Sequence, residues 1–350
     1  MHTTHIYTIL TMFNTLLLSS LVLFGSAGNS VQADSNFGKN SLSSEDVDNR
    51  WAQWVFDFRK AYDTPLERAQ RRAIFIENLF EVERHNAEAN VLMHNFTIGL
   101  NHFSDLTHTE FAEKYLRPFS SSADSHTMEL PETDVKSINW VEKGGVTPVK
   151  DQGQCGSCWS FSATGGMEGA NFVANDELVS LSEQQLVDCA DKVNHGCNGG
   201  LMDYAFRYVI NNKGITTEDN YPYTAKDGTC NPAEEASPVV TISNYYDVPT
   251  NEESQLMAAV ALQPVSVAID AEGASFQMYK SGVYNAECGT TLDHGVLVVG
   301  YGTENGLDYW LVKNSWGPTW GDGGYIKMAR NTKNPEGQCG IAMQPSRPVV

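Results

Sequence analysis

The sequence predicts an α+β protein. Three observations carry that expectation. Apolar residues before about residue 90 recur at helical spacing. A Ser-rich stretch over residues 118–128 then breaks the period. Beyond it the chain is rich in Gly, Cys and aromatic residues, with helical stretches first and β-branched, strand-like stretches last. The chain has 350 residues, 41% apolar and 19% charged, which is ordinary globular composition. Its net charge of -20 argues against a nucleic-acid partner, since phosphate binding needs a basic face. Seven cysteines leave one thiol over if six pair.

The first 24 residues contain no Asp, Glu, Lys or Arg, and Leu16 to Phe24 is densely apolar. Small residues follow at Gly25, Ser26 and Ala27, and again around Ala33. Residues 1–27 therefore read as a secretory signal peptide, with cleavage as late as residue 33. A transmembrane anchor is the competing reading, weakened by Thr8, Thr11, Asn14, Thr15, Ser19 and Ser20 within the span. A secretory route leads to an oxidising compartment and permits disulfides. The sequon Asn95-Phe96-Thr97 makes Asn95 a glycosylation candidate.

Further along, Trp51, Trp54, Val55, Phe58 and Tyr62 mark one helix face. Pro65 suits the first turn of a second helix, with Thr64 as its cap, running to about Asn90. Glu67 and Arg71 stand four apart and are expected to pair. Phe96 to Leu100 reads as a short strand and Phe103 to Leu116 as a turn or helix. Helices are expected over Cys158 to Ala174, from Ser182 (a capping residue, with Gln185 three on) and over Leu201 to Ile210. Strands are expected at Val265–Ile269, Gly295–Tyr301, Tyr309–Lys313 and Tyr325–Met328.

The most informative line is Gln152-Gly-Gln-Cys155-Gly-Ser-Cys158-Trp159. The CxxC within it allows three readings. A zinc half-site needs a second close ligand pair, for which Cys189, His195 and Cys197 are poor candidates in an oxidising compartment. A thioredoxin-type dithiol would sit early in a βαβ unit, and none surrounds it. A nucleophile beside a structural cysteine makes chemical sense. A thiol must become thiolate to attack, and a helix start with a His partner favours that form. His294 lies just before an apolar strand, and Asn314 follows another in Asn314-Ser-Trp316-Gly. Seven of the nine histidines precede Cys158, and His195 sits in a polar loop. C-G-[SA]-C-[WY], with His and Asn roughly 130–150 residues downstream, is a known signature of papain and the cathepsins. The match is thus one of pattern, with Asn314 slightly beyond the interval.

On these residues the chain resembles the papain family of cysteine proteases, in its cathepsin L-like branch. Glu67, Arg71, Phe75, Asn78, Val82 and Asn86 match the family's first propeptide motif. Gly99, Asn101, Phe103 and Asp105 match the second. The resemblance implies a two-domain fold, helical domain plus β-barrel-like domain with the active site between, preceded by a small, mainly helical propeptide. It divides the chain into an inhibitory propeptide over 34–117, a linker and activation region over 118–133, and a mature peptidase over 134–350. It implies Cys158 as nucleophile, His294 as its acid–base partner and Asn314 as the group orienting the imidazole. It also gives Trp316 as a cover over that bond and Gln152 as an oxyanion-hole donor. Gly200 would let substrate backbone approach. Met202, Ala268, Gly295 and Gln344 would line the pocket for the substrate residue two before the cut bond, with an apolar or aromatic preference. The implied disulfides are Cys155–Cys197, Cys189–Cys230 and Cys288–Cys339.

The expected activity is that of a cysteine endopeptidase made as an inactive zymogen, with no cofactor and no metal. Expected partners are protein and peptide substrates, its own propeptide, and cystatin-type inhibitors of a monomer. The expected location is the secretory pathway, then lysosome, vacuole or the extracellular space. A catalytically dead binding homologue would have lost Cys, His or Asn. An inhibitor built on the pro-segment would end near residue 125. One departure stands out: the family's D-W-R is here Asn139-Trp140-Val141. Glu168 then loses its customary Arg, and is either hydrated or served by another cation.

Overall fold

A computed structural model describes residues 42–120, 126–190 and 193–350, and the first helix among the described residues begins at Ser44. The expected signal peptide lies outside the described residues. Helix α1 (Ser44–Asp57) buries Trp51 and Trp54 against Phe75 of α2 (Pro65–Asn90). Tyr62 lies beyond the end of α1, yet its ring stacks on Trp51 at 6.0 Å, so the apolar stripe continues through the turn. Thr64 caps α2 as expected, accepting from the Glu67 N–H, with Pro65 in the first turn.

The expected Glu67–Arg71 pair is corrected. Glu67 turns back to accept the Asp63 N–H, and Arg71 reaches Glu110 at 2.7 Å and the Asp105 carbonyl at 3.1 Å. A long-range carboxylate wins because it meets Arg71 where both are partly shielded, whereas Glu67 is needed at the helix start. The two motif asparagines work on backbone. Asn78 donates to the carbonyls of Ser104 and Leu106, and Asn86 both donates to and accepts from Ile98. They hold α2 against β1 (Phe96–Ile98) and the loop that leads to α3 (His108–Tyr115).

After the short β2 (Ile138–Asn139), helix α4 (Cys158–Asn175) packs on the sheet, flanked by α5 (Glu183–Cys189) and α6 (Met202–Asn212). Glycines let α4 come close. A Cβ at Gly165 would lie 2.7 Å from Leu297, and one at Gly169 2.5 Å from Pro264. The rest of the chain is α7 (Pro232–Glu235), β3 (Asn244–Asp247), α8 (Glu253–Leu262), β4 (Val265–Ile269), α9 (Ala274–Gln277) and β5 (Tyr279–Tyr284). Strands β6 (His294–Glu304), β7 (Leu307–Lys313), β8 (Tyr325–Ala329) and β9 (Ser346–Val349) complete it. The strands run in the order β1-β5-β8-β7-β6-β4-β9-β3, with β2 beside β6. Among the described residues this is an open path with β1 and β3 at its ends. All pairs are antiparallel except β5 with β8.

Pro-segment and enzyme share one core. Phe96, Ile98, Phe103, Phe111 and Tyr115 are buried in the same cluster as Val265, Val267, Trp310, Trp316 and Trp320. Strand β1 adds to the enzyme's sheet edge at β5. The stretch read as a linker is tied down where it is described. Met128 N–H donates to the Asp247 carbonyl, and Leu130 exchanges hydrogen bonds with the Gln255 side chain.

Candidate active site

Cys158 is the first residue of α4, and Ser157 before it makes no side-chain cap. The disulfide Cys155–Cys197, with Cα atoms 4.6 Å apart, and the Gly156 N–H to the Cys197 carbonyl fix the approach to the helix. Cys189–Cys230 and Cys288–Cys339 are also bonded, and Cys158 is the free cysteine. Cys189 and Cys230 also lie near Glu235, but their sulfurs are committed to each other and hold no metal.

Strand β6 opens with His294, opposite Ile269 of β4. A Cβ at Gly295 would lie 3.3 Å from the Cys158 carbonyl oxygen and from Trp159 Cα, so the strand start abuts the helix start. His294 Nε2 lies 2.7 Å from Asn314 Oδ1. Asn314 follows β7 directly and is held by its own N–H to the Gly324 carbonyl. The Trp316 ring stacks on the imidazole at 4.5 Å and 23°. His294 Nδ1 is buried with no partner of its own. Gln152 is fully buried: its Nε2 donates to the Cys155 carbonyl and its Oε1 accepts from Ser315 Oγ.

The pro-segment runs over this site. Arg117 N–H donates to the Asp293 carbonyl, and Phe119 N–H donates to the Leu292 carbonyl. Phe103 and Phe111 meet the edge of Trp316 at 5.5 and 5.1 Å. Burial under this cover pushes the Cys158 thiol up to about 11. It also pushes the His294 imidazole down to about 4, against the hydrogen bond to Asn314. Both shifts run toward the uncharged forms while the site is covered. Asp293, next to His294, is lifted to about 7, chiefly by burial.

Met202 and Gln344 line one cavity of about 330 Å³, together with Leu201, Val248 and Met343. Ala268 and Gly295 instead face each other across the β4–β6 ladder. Ala268 and Met202 belong to one apolar cluster, on which Phe119 and Met343 also pack. Phe119 would sit 3.1 Å from a Cβ at Gly295. At Gly200 the space for a Cβ is filled by Asn194 and Trp159, whereas Gly156 and Gly199 are the glycines that face Arg117.

Sequence reading missed a buried charge cluster behind the site. Glu168 accepts from Thr147 and the Leu181 N–H, and Lys150 lies 3.4 Å from it. Lys150 also pairs with Glu183 at 2.7 Å, and Lys313 donates to Thr147. The open question over Glu168 is thus answered by Lys150 in place of the family's Arg. Burial opposes the charge on Glu168, but Lys150 and Lys313 outweigh it and its carboxyl is lowered overall. Lys313, directly before Asn314, was the available signal.

A family model described as papain family cysteine protease matches residues 135–349, and one described as cathepsin propeptide inhibitor domain matches residues 51–111. The chain belongs to the papain family. It is 47% identical over 320 residues to the probable cysteine protease RD21B of Arabidopsis thaliana, covering 89% of this chain and 68% of that one. It is 50% identical over 288 residues to vignain of Ricinus communis, covering 77% and 79%. Among solved structures, a recombinant stem bromelain precursor superposes with a TM-score of 0.81 at 38% identity, covering 87% of this chain and 99% of that one. Procathepsin L 3 of Tenebrio molitor larval midgut gives 0.79 at 40%, covering 87% and 99%. The protein is thus a papain-family cysteine protease carrying its propeptide inhibitor domain, a zymogen.

Proposed function

We propose that this zymogen yields an endopeptidase that cuts peptide bonds through Cys158 and His294. The observation that carries the reading is the His294–Asn314 hydrogen bond beneath Trp316, set beside a free cysteine at a helix start. Once residues 117–119 leave the cleft, water and the helix dipole favour the thiolate, and His294 takes the proton. The thiolate adds to the peptide carbonyl, and the imidazolium protonates the leaving amine. The acyl-enzyme is then hydrolysed by a water that His294 deprotonates. Asn314 holds the ring through Nε2, which leaves the unpartnered Nδ1 to take the Cys158 proton. Gln152 Nε2 has two hydrogens and spends one on Cys155; the other is free for the developing oxyanion, with the Cys158 N–H.

Met202 and Gln344, with Phe119 seated on the same apolar cluster, support a preference for Phe or Leu two residues before the cut bond. Gln344 leaves room for weak acceptance of Arg. Cleavage in the activation region over 118–133 leaves a mature enzyme over 134–350, which acts as a monomer and is a target for cystatin-type inhibitors once its cleft is open. Three disulfides suit the secretory pathway and a vacuole, lysosome or extracellular destination. Asn95 is exposed, as glycosylation at its sequon requires. Hydrolysis of a positional peptide library by the acid-activated enzyme tests the reading. Cys158→Ala should abolish it, and the wild type should favour Phe and Leu at that position. Dominance of Arg there would reject the pocket assignment.

A further inference from the structure

Three consecutive apolar residues stand in solvent where α2 ends: Val91, Leu92 and Met93 are 60%, 90% and 64% exposed. Such a run is unusual on a surface and asks for an occupant or a use. We propose that this turn is a cleavage site for an activated copy of the same enzyme, which hydrolyses the Met93–His94 bond with Leu92 in its apolar pocket. The inference rests on the pocket reading given above.

The turn is weakly held. Three backbone hydrogen bonds close it, from Val91, Leu92 and Met93 to the carbonyls of Glu88 and Ala89. Leu92 sits at φ 62, a left-handed conformation that a residue with a branched side chain adopts under strain. Opening the turn into the extended form a protease requires relieves that strain at the expense of those three hydrogen bonds. Exposed loop tips with few contacts are where proteolysis concentrates. The residues after it are anchored instead. His94 stacks on His85 at 4.2 Å, the Asn95 carbonyl accepts the Val283 N–H, and β1 begins at Phe96. The tip is therefore a short loop between two fixed points.

The chemistry fits the cleft that would receive it. The pocket of about 330 Å³ beside Met202, Met343 and Gln344 takes an apolar side chain, and Leu92 is the most exposed large apolar residue among the described residues of the pro-segment. The cut is intermolecular, because each zymogen's own cleft is filled by its Arg117 and Phe119. One water is consumed, leaving a carboxylate on Met93 and an amine on His94. The nick separates α1 and α2 covalently from β1 and from the segment over the active site. Strand β1 stays on β5, and Phe103 and Phe111 stay on Trp316, so the nicked molecule is an inhibited intermediate.

The test uses the full chain carrying Cys158→Ala, which cannot process itself, and Asn95→Gln, which removes the sequon. It is mixed with a trace of activated wild type and followed by intact mass and amino-terminal sequencing. A fragment starting at His94 should appear before cleavage between residues 118 and 133. Leu92→Asp should slow its appearance about tenfold or more, while the later cut proceeds and Leu92→Phe leaves the His94 fragment in place. Absence of that fragment while the later cut proceeds would overturn the proposal, as would an unchanged rate with Leu92→Asp. Failure of the pocket reading itself shows elsewhere, in a peptide library where neither Leu nor Phe is favoured.

Discussion

Gln152 illustrates how one buried amide is made into a donor. Ser315 Oγ fixes its oxygen and the Cys155 carbonyl takes one of its hydrogens, so the other points in a defined direction. Gln152→Ala should lower kcat by about 10²–10³-fold with little change in KM, measured on the activated enzyme. A drop in affinity alone would place Gln152 in substrate binding. At this scale the residues that gather at the candidate site were legible, because Cys158, His294, Asn314 and Trp316 sit in short contiguous motifs. What was not legible was pairing across distance. Arg71 finds Glu110, 39 residues on, and Glu168 finds Lys150 and Thr147 from a different loop. Neither follows from spacing. At Gly200 the place of a Cβ is taken by Asn194 and Trp159, while Gly199 and Gly156 face Arg117.

Among the elements, helix starts and strand interiors were readable and ends were not. Thr64, Pro65 and Ser182 mark local chemistry, and the fully buried β4 is a run of apolar and small residues. The expected helix through Tyr62 stops at Asp57, since Trp51 can stack on Tyr62 across a turn as well as along a helix. Helix α8 and strands β3, β5 and β9 carry no strong pattern, being short or lacking a polar face. Two element-scale outcomes follow. Ser182 accepts the Gln185 N–H and donates to the Tyr221 carbonyl, so Ser182→Ala should cost about 1–2 kcal/mol in thermal or denaturant unfolding. Phe119→Ala should speed acid activation, read as the pH at which half the zymogen is processed in a fixed time. An unchanged midpoint would mean that Phe119 does not help hold the cleft segment.

For the molecule as a whole, pro-segment and enzyme are one folded body whose joint stability depends on pH. Arg71 hydrogen-bonds Glu110 and holds its carboxyl below the usual range. That contribution is complete above the unfolded carboxylate pKa and is lost as pH falls through the lower folded one. His102 acts in the same direction by another route. It lies between Phe58, Phe103 and Thr319, near Lys60, Asp105 and Asp151, and burial is the main cause that lowers it to about 4. From about pH 6.5 down to about 4 a released His102 binds a proton that the docked one refuses, so docking weakens across that window. His102→Gln should therefore slow processing between pH 6 and 4.5 while leaving neutral-pH latency intact; equal rates would remove His102 from the account. Acid release should also turn the covered Cys158 into a reactive nucleophile. Labelling by an epoxysuccinyl thiol reagent, followed by peptide mapping before and after acid treatment, tests it most directly. Little label is expected at neutral pH, one label per chain on Cys158 after acid, and none in Cys158→Ser. Label persisting in Cys158→Ser, or mapping to another cysteine, would contradict it.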